Sequence, residues 1–140
     1  MHNVYLVQSY IPAAEKAIRD KLVENGKVKK IYKSYMAAFG PTIVQMGLLP
    51  CIAFYLGSSQ GEGDRGIILD LIAKVIGSKN GHELYKQLAS SYQNDMSSFY
   101  RTKQQVEAAA VALKLAMRTY PDEESKEPRE EENKGRVRAS

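Results

Sequence analysis

The sequence predicts an all-α protein, a single-domain bundle of five to six helices with a disordered, charged C-terminal tail. Three observations support this prediction. Apolar residues recur at spacings of three and four in several segments, as they do on the buried face of a helix. Gly and Pro separate these segments and mark where the helices end. No segment alternates polar and apolar residues for long enough to form a sheet.

The first predicted helix covers residues 12–25, with Pro12 at its first position and Gly26 just after its end. Proline fits the first position because its missing N–H would have no helical partner there in any case. Four apolar residues at helical spacing are expected to face the core: Ala14, Ala17, Ile18 and Leu22.

The second predicted helix covers residues 28–46 and is expected to bend or break at Gly40-Pro41, because proline removes a backbone donor and clashes with the preceding turn. A corner at Gly47 leads into a short apolar helix, Leu48–Leu56, and residues 57–66 are expected to form a polar, glycine-rich loop. The inner face of the second helix is predicted to carry Ile31, Tyr35, Ala38, Phe39, Ile43 and Met46.

The second half of the chain is predicted to contain three further helices. One covers residues 65–76 and is closed by Gly77, since glycine readily adopts the left-handed conformation common after helix ends. Neither Gly nor Pro occurs between Gly81 and Pro121, and apolar residues keep their helical spacing there. Because Asn94-Asp95 can cap a new helix, two helices are expected in this stretch rather than one.

Charge is distributed unevenly along the chain, which has a formal net charge of +4. Residues 1–120 carry 15 Lys and Arg against 9 Asp and Glu, whereas residues 121–140 carry 5 against 7. We predict that residues 1–120 form one helical domain with a basic surface. Residues 121–140 contain too few apolar side chains to offset the entropy cost of ordering, so they are expected to form a disordered polar tail.

The sequence offers little for catalysis or metal binding. Cys51 is the only cysteine and lies in an apolar run, which indicates a buried, unreactive thiol and a reducing cytoplasmic location. With one cysteine and only two histidines, His2 and His82, which are distant in sequence, one chain cannot assemble the usual N/S ligands of zinc. The apolar run of residues 42–57 is too short to span a membrane. We therefore expect a cytoplasmic protein that is not an enzyme and has no cofactor, metal or membrane contact.

The basic residues are the main functional feature. Lysines with tyrosines nearby are typical of surfaces that bind nucleic-acid backbones without recognising sequence, although an ordinary solvated helix face would have the same composition. The candidate binding residues are Lys16, Arg19, Lys29, Lys30, Lys33, Lys86, Arg101 and Lys103. Lys114 and Arg118 are interpreted instead as complements to the negative end of a helix dipole.

Several short motifs between residues 10 and 120 resemble one family. They are Tyr32-Lys33-Ser34-Tyr35, Pro41, Ile43, Gly47-Leu48, Ala53-Phe54, Tyr100-Arg101, Glu107-Ala108 and Leu113-Lys114. This pattern resembles the small subunit of the Cmr complex, the type III-B CRISPR RNA-guided effector. The charged tail looks particular to this chain.

The resemblance implies a helical subunit without catalytic activity of its own. It implies that several copies stack into a short filament beside the repeated backbone subunit that holds the guide RNA, in a complex that also contains a large subunit. The filament would line the channel for guide and target RNA and so serve antiviral defence. The expected partners are therefore the other Cmr subunits, copies of the chain itself, and the backbones of both RNAs, which pair to provide sequence specificity.

Two other functions remain open at this point. The chain could be a helical protein-binding adaptor, in which case its basic clusters are solvated faces. It could also be a helix-turn-helix DNA-binding protein, which needs a polar recognition helix. The segment after Gly47 is apolar and unsuited to contacting base edges, so the DNA-binding hypothesis is the weaker of the two.

Overall fold

The computed structural model describes residues 3–57 and 64–123, which form an all-α fold, as predicted. Two short strands, β1 (Val28–Lys29) and β2 (Asp122–Glu123), pair in parallel. The helices of the described residues are α1 (Val4–Lys21), α2 (Lys30–Met46), α3 (Leu48–Leu56), α4 (Gly66–Ile76), α5 (Gly81–Asn94) and α6 (Met96–Met117).

The longest helix, α6, is the centre of the bundle and packs against α1, α2, α4 and α5. Its buried positions combine small side chains, such as Ala109 and Ala112, with the larger Val106 and Leu113. Alanine lets neighbouring helices approach closely, and the larger side chains fill the space between them. This composition explains how one helix is covered on several sides.

Helix α1 begins at Val4, so the prediction that it begins at Pro12 is wrong. Asn3 caps the helix, and its side chain accepts a hydrogen bond of 3.1 Å from the Leu6 amide. Pro12 lies inside the helix and deprives the Gln8 carbonyl of its usual donor, but Gln8 is exposed and water can replace that donor. All four residues predicted to face the core from this helix are buried, which confirms its inner face.

A bend or break was expected at Gly40-Pro41, but α2 continues through both residues, so the expectation of a break is wrong. The Thr42 hydroxyl donates a hydrogen bond of 2.8 Å to the Ala38 carbonyl beside the proline. The carbonyl that Pro41 leaves without a helical donor is that of Ala37, which is exposed, so water can replace the donor.

The predicted inner face of α2 is only partly correct. Phe39 and Ile43 are buried, together with Met36, which the apolar pattern did not single out. Ile31 and Met46 are 40% and 45% exposed, so they lie at the edge of the core rather than inside it. Ala38 is also exposed, and Tyr35 is half-buried. The buried stripe of this helix is therefore rotated and narrower than expected.

The helix ends agree closely with the remaining predictions. Helix α3 has the predicted bounds, and Gly47 before it adopts a positive φ of 92°. Gly77 closes α4 in the left-handed conformation, with φ of 87°. Asp95 caps α6 by accepting a hydrogen bond from the Ser98 amide at 3.2 Å, which confirms two helices after Gly81. The predicted glycine-rich loop lies largely outside the described residues, at positions 58–63.

The strand pair joins the connection between α1 and α2 to the segment that follows α6. The Val28 amide donates a hydrogen bond of 3.0 Å to the Pro121 carbonyl, and Lys29 lies opposite Glu123. Residues 121–123 thus pack with the helical domain, although the boundary was predicted at residue 120. The rest of the predicted tail, residues 124–140, lies outside the described residues, so its disorder stays a prediction.

Candidate nucleic-acid interface

The start of α2 and the end of α6 enclose a basic cleft of about 290 Å³. Lys30 and Lys33 contribute from the first two turns of α2, and Lys114 on α6 and Arg118, the C-cap of α6, contribute from four residues apart. We call this surface the basic cleft. Its lining consists of Lys30, Lys33, Ser34, Ala37, Lys114, Met117, Arg118 and Asp122.

The basic cleft brings together residues for which the sequence pattern predicted different roles. Lys30 and Lys33 were candidate binding residues, whereas Lys114 and Arg118 were interpreted as complements to a helix dipole. Lys114 does lie in the last turn of α6, so that role is compatible with the structure. The packing of α2 on α6 additionally places it opposite Lys30 and Lys33 across the cleft. No local sequence signal connects positions so far apart.

Lys33 is engaged within the protein. Its Nζ donates hydrogen bonds of 2.5 Å to the Asp122 carboxylate and to the Tyr120 carbonyl, and only 19% of its side chain is exposed. The hydrogen bond from Lys33 lowers the pKa of Asp122. Lys33 therefore anchors residues 120–122 to α2, so it is less available to a ligand than the sequence suggested.

Most of the other candidate lysines have acidic neighbours on their own helices. The bond from Lys16 lowers the pKa of Asp20, and Arg19 is exposed beside this pair. Arg101 is exposed near the start of α6, and Lys29 lies in β1 opposite Glu123. The ion pairs are Lys16–Asp20 at 2.9 Å, Lys86–Glu83 at 3.6 Å and Lys103–Glu107 at 3.1 Å.

The candidate residues on α5 and α6 are far from the basic cleft. Lys103 and Lys114 are separated along α6 by roughly 16 Å, at 1.5 Å per residue. We call Lys86, Arg101 and Lys103 the distal basic set. Because two of its members are paired with glutamates, this set presents less net positive charge than the basic cleft.

An apolar groove, also of about 290 Å³, continues from the basic cleft along α2 and α6. Ala37 and Lys114 line both surfaces, so the two are contiguous. Val44 borders this groove and is 87% exposed. The apolar groove is lined mainly by Met36, Gly40, Pro41, Ile43, Val44, Ala110 and Val111.

The described residues offer no obvious reactive centre. Cys51 is fully buried, and burial raises the pKa of its thiol to about 12, so it is protonated at neutral pH. The described part of the chain brings together no group of three or more His, Cys, Asp and Glu side chains that could hold a metal ion. Nor does it contain a helix with the length and apolar character needed to cross a membrane.

The Lys33–Asp122 pair predicts a pH dependence at the strand pair. Asp122 has a folded-state pKa below its ordinary value of 3.8, so it stabilises the fold above that pH and loses this effect as the pH falls through its lowered pKa. Hydrogen-exchange protection of the Val28 amide is therefore expected to fall between pH about 6 and pH about 3 more than that of Leu113 in the core.

Asp20 and Asp95 also have lowered pKa values, so their protonation lowers the stability of the whole fold in acid. The Leu113 amide in the core reports this global loss and serves as the internal reference. In the Asp122→Asn variant, Val28 protection is expected to be low at both pH values. If hydrogen-exchange protection falls equally at the Val28 and Leu113 amides of the natural chain, the strand pair has no acid response separate from that of the core.

These features define a small helical protein whose most distinctive surface is a basic cleft beside an apolar groove. The chain matches, over residues 7–118, the family described as CRISPR-associated protein (Cas_Cmr5), and it belongs to that family. This confirms the resemblance found in the sequence.

A solved structure has the same fold: the X-ray crystal structure of a CRISPR-associated Cmr5 family protein from Thermus thermophilus. The two superpose with a TM-score of 0.67 at 20% sequence identity, covering 84% of this chain and 98% of that chain. At this identity the match establishes the fold alone. No curated protein sequence matched the chain.

Proposed function

We propose that this chain is a non-catalytic structural subunit of a type III-B CRISPR effector, the Cmr complex, in the cytoplasm. Copies of it form a short filament along the channel for guide and target RNA, beside the backbone and large subunits. The basic cleft contacts the RNA backbone, while base pairing between the two RNAs supplies sequence specificity. Membership in the Cmr5 family over residues 7–118 supports this proposal.

The observation that carries the RNA contact is the group of cations at the basic cleft. Within the described residues, Lys30, Lys114 and Arg118 have no ion-pair partner, in contrast to Lys16, Lys86 and Lys103. Phosphate groups bind such cations without regard to base sequence and release counterions as they do so. A subunit that lies along RNA of any sequence needs this kind of contact.

The apolar groove supports the filament part of the proposal. Val44 lies on α2 and borders this groove. Met46 on α2 and Leu115 on α6 are also more than 40% exposed. Apolar surface of this kind is typical of protein contacts. A head-to-tail contact between copies leaves a free surface at each end and so allows a filament to grow.

The same groove also favours a second function, a protein-binding adaptor without RNA contact. Both hypotheses need apolar contacts between proteins, so the apolar groove cannot separate them. Only the first needs the positive charge of Lys30, Lys114 and Arg118 at the basic cleft. RNA binding and its salt dependence therefore distinguish the two.

We expect the isolated chain to bind fluorescently labelled single-stranded RNA with strong salt dependence. Three phosphate contacts give a slope of about −2 in a plot of log affinity against log salt, so affinity should fall roughly twentyfold between 50 and 200 mM salt. Fluorescence anisotropy measures this directly. An RNA of unrelated sequence and equal length should bind with similar affinity. Absence of binding at 50 mM salt would favour the adaptor.

A further inference from the structure

The basic cleft already contains a carboxylate from the chain itself. The family match ends at residue 118, and the residues that follow it fold back onto the cleft. Asp122 lines the cleft and accepts a hydrogen bond from Lys33 at 2.5 Å. The cleft is thus built in a way that accommodates an acidic side chain of an extended peptide.

The sequence that continues from Asp122 is strongly acidic. Residues 122–132 contain seven acidic and two basic residues, whereas residues 133–140 contain three basic residues and no acidic ones. The negative charge is therefore concentrated in the part of the chain that directly follows the cleft. This arrangement complements three cleft cations that form no ion pair within 4.0 Å among the described residues, Lys30, Lys114 and Arg118, of which Lys30 acts on Asp122 at longer range.

The direction of β2 also favours pairing between the acidic residues after Glu123 and the cations of the basic cleft. Because β2 is parallel to β1, with Lys29 opposite Glu123, the chain at Glu123 points toward the start of α2, where Lys30 follows Lys29. An extended chain covers up to about 3.5 Å per residue, so residues 124–132 can span about 30 Å. Lys114 and Arg118 line the same cleft as Asp122, so both are within reach of the residues that follow Glu123.

We propose that the basic cleft is a binding site for an acidic peptide, and that residues 124–132 of this chain are its occupant. Their carboxylates pair with Lys30, Lys114 and Arg118, as Asp122 does with Lys33. Exposed ion pairs of this kind are individually weak and are screened by salt, so the contact is reversible. Docking does not depend on RNA, whereas its consequence, competition with RNA phosphates, rests on the function proposed above.

Docking can be measured on the full chain without RNA by comparing amide chemical shifts. Replacing Glu124, Glu127, Glu130, Glu131 and Glu132 with glutamine should shift the amides of Ser34, Ala37 and Arg118, which line the cleft. The amide of Leu88 in the core of α5 should not move. Adding a synthetic peptide of residues 122–132 to this variant should reverse the shifts.

Two controls make the result specific. The matched variant replaces Lys134, Arg136 and Arg138 with glutamine and should leave the cleft amides unchanged. A peptide with glutamine in place of its glutamates should have no effect on the first variant. Unchanged cleft amides in the first variant, or equal shifts in both variants, would overturn docking whatever the behaviour toward RNA.

RNA binding gives the second readout. If the acidic segment competes with RNA, the variant with five glutamines should bind labelled RNA about threefold to tenfold more tightly, because three weak competing pairs are lost. Adding the acidic peptide should weaken that binding, and the glutamine peptide should not. Cleft shifts without any RNA binding would support docking and contradict the proposed RNA contact. Chemical-shift changes at the cleft amides, together with an RNA affinity that the acidic peptide leaves unchanged, would overturn competition.

Discussion

The Leu113→Ala variant is expected to lose about 2–5 kcal/mol of unfolding free energy, the range for leucine truncation in a packed core. Leu113 is 0% exposed and lies on α6, a helix that packs against four others. Truncation removes apolar burial and leaves a cavity that neighbouring helices cannot fully close. Urea unfolding followed by far-UV circular dichroism measures the loss.

Leu115 provides a matched control on the same helix, because it is 42% exposed. Leu115→Ala is expected to cost less than about 1 kcal/mol, since little apolar surface and no enclosed cavity are involved. A small loss in the Leu113 variant, or equal losses in both, would contradict the central position that the structure gives to α6.

Reversing the charge of the basic cleft is expected to abolish most RNA binding. In a variant with Lys30, Lys114 and Arg118 replaced by glutamate, three favourable phosphate contacts become repulsive, so RNA affinity should fall at least about a hundredfold at low salt. The salt dependence should also become shallow. Fluorescence anisotropy with the same labelled RNA measures both quantities, and circular dichroism confirms that the variant retains its helices.

The distal basic set provides a control with the same change in net charge. Replacing Lys86, Arg101 and Lys103 with glutamate changes the net charge by the same amount but leaves the basic cleft intact. The RNA affinity is therefore expected to fall only a few fold. Equal losses in both variants would mean that RNA responds to net charge alone. A larger loss in the control would place the RNA contact on α5 and α6.

Lys33 is left unchanged in this design because its ammonium anchors Asp122 and Tyr120. Its replacement by glutamate would place two carboxylates together and release the strand pair. Weaker RNA binding in such a variant would then combine a lost phosphate contact with a lost structural contact. The candidates Lys29, Lys30 and Lys33, which form one cluster in sequence, are therefore not equivalent in the structure.

Some features of the fold were predictable because their causes are local. The bounds of α3 follow from its apolar run between Gly47 and Gly57, and the cap of α6 follows from Asp95. The start of α1 was not predicted correctly because two local signals compete. Pro12 suits the first turn of a helix, whereas Asn3, further upstream, is a good N-cap, and the helix begins after Asn3.

The inner face of α2 depended on more than its own sequence. Apolar side chains occupy several faces of this helix, so helical spacing alone allows more than one choice of buried stripe. Packing against α3 and α6 buries Met36 and leaves Ile31 and Met46 at the edge. Such a choice depends on neighbouring elements, which a local pattern does not contain.

The sequence by itself determined the helical class, the family resemblance and the basic charge of the main domain, because these depend on local spacing and composition. Only the tertiary structure decided which cations lie together. It joined Lys30 to Lys114 and Arg118 by packing α2 on α6, and it committed Lys33 to Asp122. Charge–charge contacts form between groups that folding brings within a few ångströms, however far apart they are in sequence.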